Sequence, residues 1–287
     1  RGLPYRAHRT AVTDGITVAG NVSVDGGTIK LDGNYPVGSD NVALSNTALD
    51  ALTSGNYNTS IGHQSLTANT SGSSNTAVGR KTLTANTTGG NNVAIGATAM
   101  DANTTGSENV AVGAGALDAN TTASYNTAIG RSALGVNTTG GDNVAVGYNA
   151  LDANTTGSNN TAIGTQALTA NTEANNNTAL GKNALKVNTT GTDNTAVGTE
   201  SLEANTTGDN NTAVGKNALT ASTTANNNTA LGYHALTAAT TANNNVAIGK
   251  DALDANTTGD RNVGVGMASL GAMNPSSGTP DMYNTAV

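Results

Sequence analysis

The sequence predicts an all-β protein, a parallel β-solenoid (β-roll) of fourteen 17-residue turns. Three observations predict it: a strict repeat, short apolar segments that end at glycine, and a composition that does not suit a globule. The chain has no Phe, Trp or Cys, and only 2% aromatic and 11% charged residues. Aromatic side chains supply much of the buried area of large globular cores, so a core of that kind is not expected here.

The repeat is anchored by a glycine that recurs at every seventeenth position from Gly62 to Gly266 without insertion. Ser45 holds the same position one unit earlier, which gives fourteen units. In every unit Asn stands four residues before this position, and Val, Ile or Leu stands one residue before it. Leu stands four residues after it, with Met100 as the single substitute, and Asn-Thr-Thr-Gly or a close relative follows. A fixed period of this kind is typical of a solenoid.

Each unit is expected to contribute two short strands, because larger residues alternate with alanine in Thr76-Ala77-Val78 and because Leu83 and Ala85 alternate in the same way. The glycine and the Asn-Thr-Thr-Gly segment supply the bends. Stacked units would form parallel ladders about 4.8 Å apart, with Leu on Leu and with Asn side chains hydrogen-bonded along the stack. The residues predicted for the core are Val78, Leu83, Ile95, Leu117, Ile129 and Leu134.

The residue two positions before the glycine predicts an oligomer. It is Ala in twelve units, and Ser60 and Gly264 are the exceptions. Since a solvent-facing strand position has no reason to stay small, a continuous alanine stripe favours close packing against another copy. We therefore expect a homo-oligomer, most simply a trimer around an axis; the alternative is that the alanines fit a narrow turn of a monomeric solenoid. The predicted contact residues are Ala77, Ala94, Ala111 and Ala128.

The repeat divides the chain into three parts. Residues 1–40 form a strand-rich N-terminal cap or connector, residues 41–272 the 17-residue-repeat solenoid, and residues 273–287 a C-terminal loop and an incomplete repeat. A terminal strand is an open edge. We expect Asn284, Ala286 and Val287 either to continue into a longer chain or to pair with the N-terminal strands of the next subunit.

The sequence shows no catalytic constellation and no cofactor motif. His63 and His234 lie about ten units apart, so they cannot share a metal or a triad within one chain. Acidic residues recur five positions after the glycine, as at Asp101 and Asp118, but Gly135 and Lys186 interrupt the series. This pattern favours a solvated acidic face over a calcium site. The formal net charge of −7 disfavours nucleic acid as a partner.

The Asn-Thr-Thr turns match the acceptor pattern for N-glycosylation. Asn86, Asn103, Thr87 and Thr104 are therefore candidate glycan-attachment residues, and the stacked threonines would form a regular polar row on which a glycan coat could be arranged. The alternative is that the turn needs Asn and Thr for local hydrogen bonds.

The segments Asn92-Val93-Ala94-Ile95-Gly96 and Asn109-Val110-Ala111-Val112-Gly113 resemble the head repeat of trimeric autotransporter adhesins. Together with turns such as Asn103 to Thr105, they are also similar to repeats of bacteriophage tail-fibre proteins. The resemblance covers about residues 41–272 and implies a trimeric, left-handed parallel β-roll, although the family's head units are usually shorter than the 17-residue unit of this chain.

These features predict a non-enzymatic structural protein, a rigid β-solenoid shaft of an extracellular, cell-surface or virion fibre that serves surface attachment. The alternative is a self-polymerising head-to-tail extracellular filament with a glycan coat. The expected partners are copies of the chain itself and host or surface glycans. An enzyme on a solenoid scaffold would need clustered acids and bases, which the sequence does not show.

Overall fold

The computed structural model describes residues 40–45, 47–272 and 283–287, and these residues form an all-β parallel solenoid. One sheet contains every strand in chain order. Strands β1 to β14 begin at every seventeenth position and enclose thirteen turns. The predicted cap lies outside the described residues except for Asp40, as does most of the C-terminal loop.

The strands are β1 (Val42–Leu44), β2 (Thr59–Ile61), β3 (Thr76–Val78), β4 (Val93–Ile95), β5 (Val110–Val112), β6 (Thr127–Ile129), β7 (Val144–Val146), β8 (Thr161–Ile163), β9 (Thr178–Leu180), β10 (Thr195–Val197), β11 (Thr212–Val214), β12 (Thr229–Leu231), β13 (Val246–Ile248), β14 (Val263–Val265) and β15 (Thr285–Ala286). Each strand pairs with the next in unbroken register, as Thr76 with Val93. The last step joins Val263 to Thr285 and therefore spans a longer stretch of sequence than the others. In the part of the chain described, no helix is long and apolar enough to cross a membrane.

Each turn contains one strand rather than the two that were predicted. Leu83 has a φ of 52°, and the leucines at the equivalent position of the other units share this left-handed conformation, so the chain turns where an extended segment was expected. The backbone ladder nevertheless continues: the Leu83 N–H donates to the Ala99 carbonyl at 3.1 Å and the Ala85 N–H to the Asp101 carbonyl at 3.0 Å. A left-handed residue costs about 1–3 kcal/mol, and burial of each leucine, worth about 1.5–3 kcal/mol, offsets that cost.

The core is a narrow column with one large side chain per turn. Leu83, Leu117 and Leu134 are fully buried, which confirms that part of the predicted core. Val78, Ile95 and Ile129 do not belong to it: Val78 is half-buried, and the two isoleucines are 40% and 41% exposed. Because a leucine already fills each turn, only a small side chain fits opposite it on the sheet.

The alanine stripe is that small side chain. Ala77, Ala94, Ala111 and Ala128 are fully buried in the chain's own core, so the prediction that they form an oligomer face is wrong. Side chains alternate along a strand, and the larger residues on either side of each alanine therefore point outward. The alanines stay small because they pack against the leucine column.

Two rows of buried asparagines hold neighbouring turns together. In the first row the Asn109 backbone N–H donates to Asn92 Oδ1 at 3.0 Å, and Asn92 Nδ2 donates to the Gly106 carbonyl at 2.9 Å. In the second row Asn103 Nδ2 donates to Asn86 Oδ1 at 2.8 Å and also to the Gly106 carbonyl at 3.0 Å. The two rows thus share one carbonyl acceptor per turn, and the predicted stacking of Asn on Asn is confirmed.

Candidate interaction surface

The solvent side of the sheet is a continuous uncharged surface, here named the outer face. It consists of the first and third residues of strands β1 to β14, and every one of these residues is Thr, Val, Ile or Leu. The third-position residues include the most exposed aliphatics of the strands: Leu44, Ile95, Ile129, Ile163, Leu180, Leu231 and Ile248 are 36% to 46% exposed. The outer face therefore carries no charge along its whole length.

Fourteen strands spaced about 4.8 Å apart, each three residues of about 3.3 Å, give the outer face an area of roughly 600 Å². The third residue of all fourteen strands is Val, Ile or Leu, and contiguous apolar patches on soluble proteins mark interaction sites. Two such faces pressed together would bury roughly 1,200 Å², the lower limit for a specific interface. Because of its size, its uniform composition and its lack of charge, the outer face is the strongest candidate for an interaction surface in the described part of the chain.

A row of basic residues, here named the basic edge, follows the carboxyl ends of the strands and borders the outer face. The residue after the repeat glycine lies there in each turn, and this position holds five cations and no anion. The five are Arg80, Arg131, Lys182, Lys216 and Lys250, and all are exposed. Since the strands are parallel, every one of these residues lies on the same side of the sheet.

An acidic edge borders the outer face where the strands begin. It is formed by the positions five and six residues before the repeat position, which hold six anions and one cation, Arg261. The anions are Asp40, Glu108, Asp142, Asp193, Asp209 and Asp260. Arg261 contacts Tyr283, with Nη1 donating to the tyrosine hydroxyl at 2.9 Å. Sequence reasoning missed both edges, although aligning the units on their glycine brings each set into one column.

The candidate N-glycosylation residues are inaccessible in the folded chain. Asn86 and Asn103 are fully buried, and their amide nitrogens donate within the second asparagine row. The prediction that they carry glycans is therefore contradicted, because a modified Nδ2 could not fit that row. The alternative, an asparagine that the turn needs for hydrogen bonds, agrees with these contacts.

The two threonines of each turn have different surroundings. Thr87 and Thr104 are half-buried, and the Thr87 hydroxyl donates to the Thr104 carbonyl at 3.0 Å. Thr104 does the same to Thr121 at 2.9 Å. The second threonine, as at Thr88 and Thr105, is exposed. A hydroxyl row is therefore present on the turn ridge, one residue later than the positions named from sequence.

Asp101 and Asp118, at equivalent positions of neighbouring turns, line a shallow cavity of about 440 Å³ together with Thr84 and Ala102. Burial, and the nearby charge of Asp101, raise the pKa of the Asp118 carboxyl. Within the described ranges no three His, Cys, Asp or Glu side chains come together in a metal-binding group. His234 is bonded locally, through Asn217 at 3.0 Å.

The predicted end-to-end residues lie on the last strand of the sheet. Asn284 continues the first asparagine row, since its Nδ2 donates to Asn262 Oδ1 at 3.0 Å. Ala286 pairs with Gly264, and Val287 is 98% exposed. The last step, from Val263 to Thr285, is five residues longer than the 17-residue repeat, and the repeat geometry nevertheless continues into β15.

Fold and surface together define a β-solenoid repeat protein with one uncharged sheet face between oppositely charged edges. Comparison with protein-family models, with curated proteins and with solved structures gave no significant match.

Proposed function

We propose that this chain is a non-enzymatic structural protein, a rigid β-solenoid shaft of an extracellular or virion fibre that serves surface attachment. The observation that carries the proposal is the outer face, a charge-free strip of Thr, Val, Ile and Leu that runs along fourteen consecutive strands. A protein that worked alone in water would gain nothing from such a strip, whereas a shaft assembled from several copies would bury it.

The proposed assembly is a homo-oligomer, most simply a trimer, with the outer faces towards the axis. The outer face replaces the buried alanine stripe as the contact. Burial of an exposed Ile or Leu contributes about 1.5–3 kcal/mol when complete, so seven such residues that are at least 36% exposed supply a substantial driving force. Rigidity follows from the backbone ladder, which links each turn to the next both along the sheet and around the turn wall.

Attachment to host or surface glycans is the proposed role of those exposed aromatic residues that the assembly leaves in contact with solvent. Tyr57, Tyr125, Tyr148, Tyr233 and Tyr283 are all at least 44% exposed. They contribute nothing to the core, and a tyrosine ring with its hydroxyl suits a partner that is partly apolar and partly polar. A sugar ring has that character.

A second candidate function is a self-polymerising head-to-tail extracellular filament. The observation that favours it is the continuation of strand pairing and of the asparagine row into β15. An edge strand of this kind can template another strand, and Asn284, Ala286 and Val287 would then form the end-to-end contact.

Light scattering combined with electron microscopy tests both candidates. The shaft proposal predicts short particles whose mass is a small multiple of 28.2 kDa. Filaments that lengthen with protein concentration would favour head-to-tail assembly. A mass of 28.2 kDa at every concentration would contradict both.

A further inference from the structure

The two charged edges of the sheet specify how copies of the chain would align. The basic edge lies at the carboxyl ends of the three-residue strands, and the acidic edge lies at their amino ends. The outer face lies between them. In the part of the chain described, no ion pair joins the two edges within one copy; the only basic-edge pair is Lys250 with Asp251, at 3.4 Å.

Symmetry decides which edges meet when outer faces come together. If the axis runs along the stack, all copies point the same way, and the basic edge of one copy adjoins the acidic edge of its neighbour. This holds for two copies or for three. If a pair is instead antiparallel, the two-fold axis runs along the strands, and each edge meets its own equivalent. Like charges then face each other, which is unfavourable.

We propose that the charged edges direct the copies into a parallel alignment without axial shift, through ion pairs between neighbouring copies. This inference rests on the proposed function, because it specifies the orientation of the assembly described there. The partner is a second copy of this chain. Complementary charge fixes orientation and register more than it adds affinity.

Rotational symmetry about the stack allows no axial shift, so candidate pairs can be read from the turn numbers. Lys216 and Asp209 belong to the same turn, counted from Gly215. Arg131 is one turn from both Glu108 and Asp142. One turn is about 4.8 Å, which Lys and Arg side chains span. Lys182 with Asp193 and Lys250 with Asp260 are likewise one turn apart.

Disulfide cross-linking of the full chain measures the orientation, and the chain has no cysteine of its own. Ile61→Cys and Ile248→Cys introduce single thiols on the outer face, eleven turns apart. In a parallel assembly each variant cross-links with itself. In an antiparallel pair neither does, and only a mixture of the two variants forms the heterodisulfide. Thr156→Cys, on the exposed turn ridge, is the control that should not cross-link.

Charge reversal measures the role of the edges. Arg131→Glu with Lys182→Glu should raise the dissociation constant of the oligomer by about tenfold or more, since like charges would then meet. Glu108→Lys with Asp142→Lys and Asp193→Lys should weaken it similarly, and mixing the two proteins should restore association. All substituted residues are exposed, so circular dichroism is expected to show an unchanged fold.

The outcomes separate this inference from the proposed function. Heterodisulfides formed only in the mixture, or a dissociation constant unchanged by charge reversal, would overturn the parallel alignment while leaving the oligomer intact. A wild-type chain that stays at 28.2 kDa would overturn both. Self-cross-linking with loss of affinity on reversal supports the inference.

Discussion

Removing one asparagine from the first row should destabilise the fold more than removing one from the second row. Asn143 belongs to the first row: its Oδ1 accepts the Asn160 backbone N–H at 2.9 Å, and its Nδ2 donates to the Gly157 carbonyl at 2.9 Å. Asn143→Ala leaves a buried backbone N–H without an acceptor, which costs about 1–3 kcal/mol. With about 1 kcal/mol for the second hydrogen bond, we expect a loss of about 2–4 kcal/mol.

Asn154→Ala is the matched comparison from the second row. It removes three hydrogen bonds, to Asn137, to Gly157 and from Asn171. This substitution leaves no backbone N–H without an acceptor. The Asn154 side chain bonds only to the side chains of Asn137 and Asn171 and to the Gly157 carbonyl, and that carbonyl still accepts from Asn143 Nδ2. The same row already contains Ser222 and Ala239. We therefore expect a loss of only about 1–2 kcal/mol, although more hydrogen bonds are removed.

Urea unfolding followed by circular dichroism measures the two losses in the chain, and hydrogen exchange measures the local effect. Since each turn of a solenoid contacts only its neighbours, the Asn160 amide should exchange roughly a hundredfold faster in Asn143→Ala, at tenfold per 1.4 kcal/mol. It should change little in Asn154→Ala. Equal losses for the two variants, or an Asn160 amide that stays protected in Asn143→Ala, would refute the reasoning.

Three further predictions concern the repeat glycine, the carboxyl of Asp118 and the two faces of strand β6. Gly113→Ala should cost several kcal/mol, because its φ of +139° is a conformation that side chains with a Cβ disfavour. Gly106→Ala should cost less by the same urea assay, because that position is already Ala in four units. Asp118→Asn should raise the urea midpoint at pH 7, since burial raises the pKa of this carboxyl and disfavours its charged form. The gain should disappear below about pH 3.8, where this carboxyl is protonated in both the folded and the unfolded wild-type chain. A gain that persists at that pH would contradict the proposed cause. Ala128→Val should destabilise the fold by about 1–3 kcal/mol through overpacking. Ile129→Thr should leave the melting temperature at low protein concentration unchanged and should weaken self-association in light scattering. A stable Ala128→Val variant beside a destabilised Ile129→Thr variant would instead place Ala128 on the solvent side of the strand.

The repeat alone was sufficient to predict the solenoid, its register and the leucine column. The period could be read directly, and near-identical units can pair in only one register without exposing Leu83 and its equivalents. The orientation of the strand could not be read from Thr76-Ala77-Val78, because either face can be called apolar. The useful signal was the invariant asparagine two residues before the alanine: the two side chains share a face, and an exposed asparagine would vary as Tyr57 and its equivalents do.

The second strand was predicted wrongly for a related reason. Alternation of Leu83 and Ala85 gives the positions of buried side chains but not the backbone angle, and the left-handed φ of Leu83 is held by neighbouring turns rather than by local propensity. The charged edges of the candidate surface needed the strand orientation first. Only once Val78 and its equivalents point outward do Arg131 and Asp142 border the same face.

The 17-residue unit advances the chain by one strand spacing per turn, and the proposed shaft requires this advance to continue along the whole stack. Spin labels at Thr88→Cys and Thr258→Cys, both on the exposed ridge and ten turns apart, would measure this by pulsed electron resonance with the labelled chain diluted in unlabelled chain. The stack predicts a single narrow distance distribution near roughly 48 Å, ten spacings of about 4.8 Å. A broad distribution, or a distance far shorter than this, would contradict the shaft.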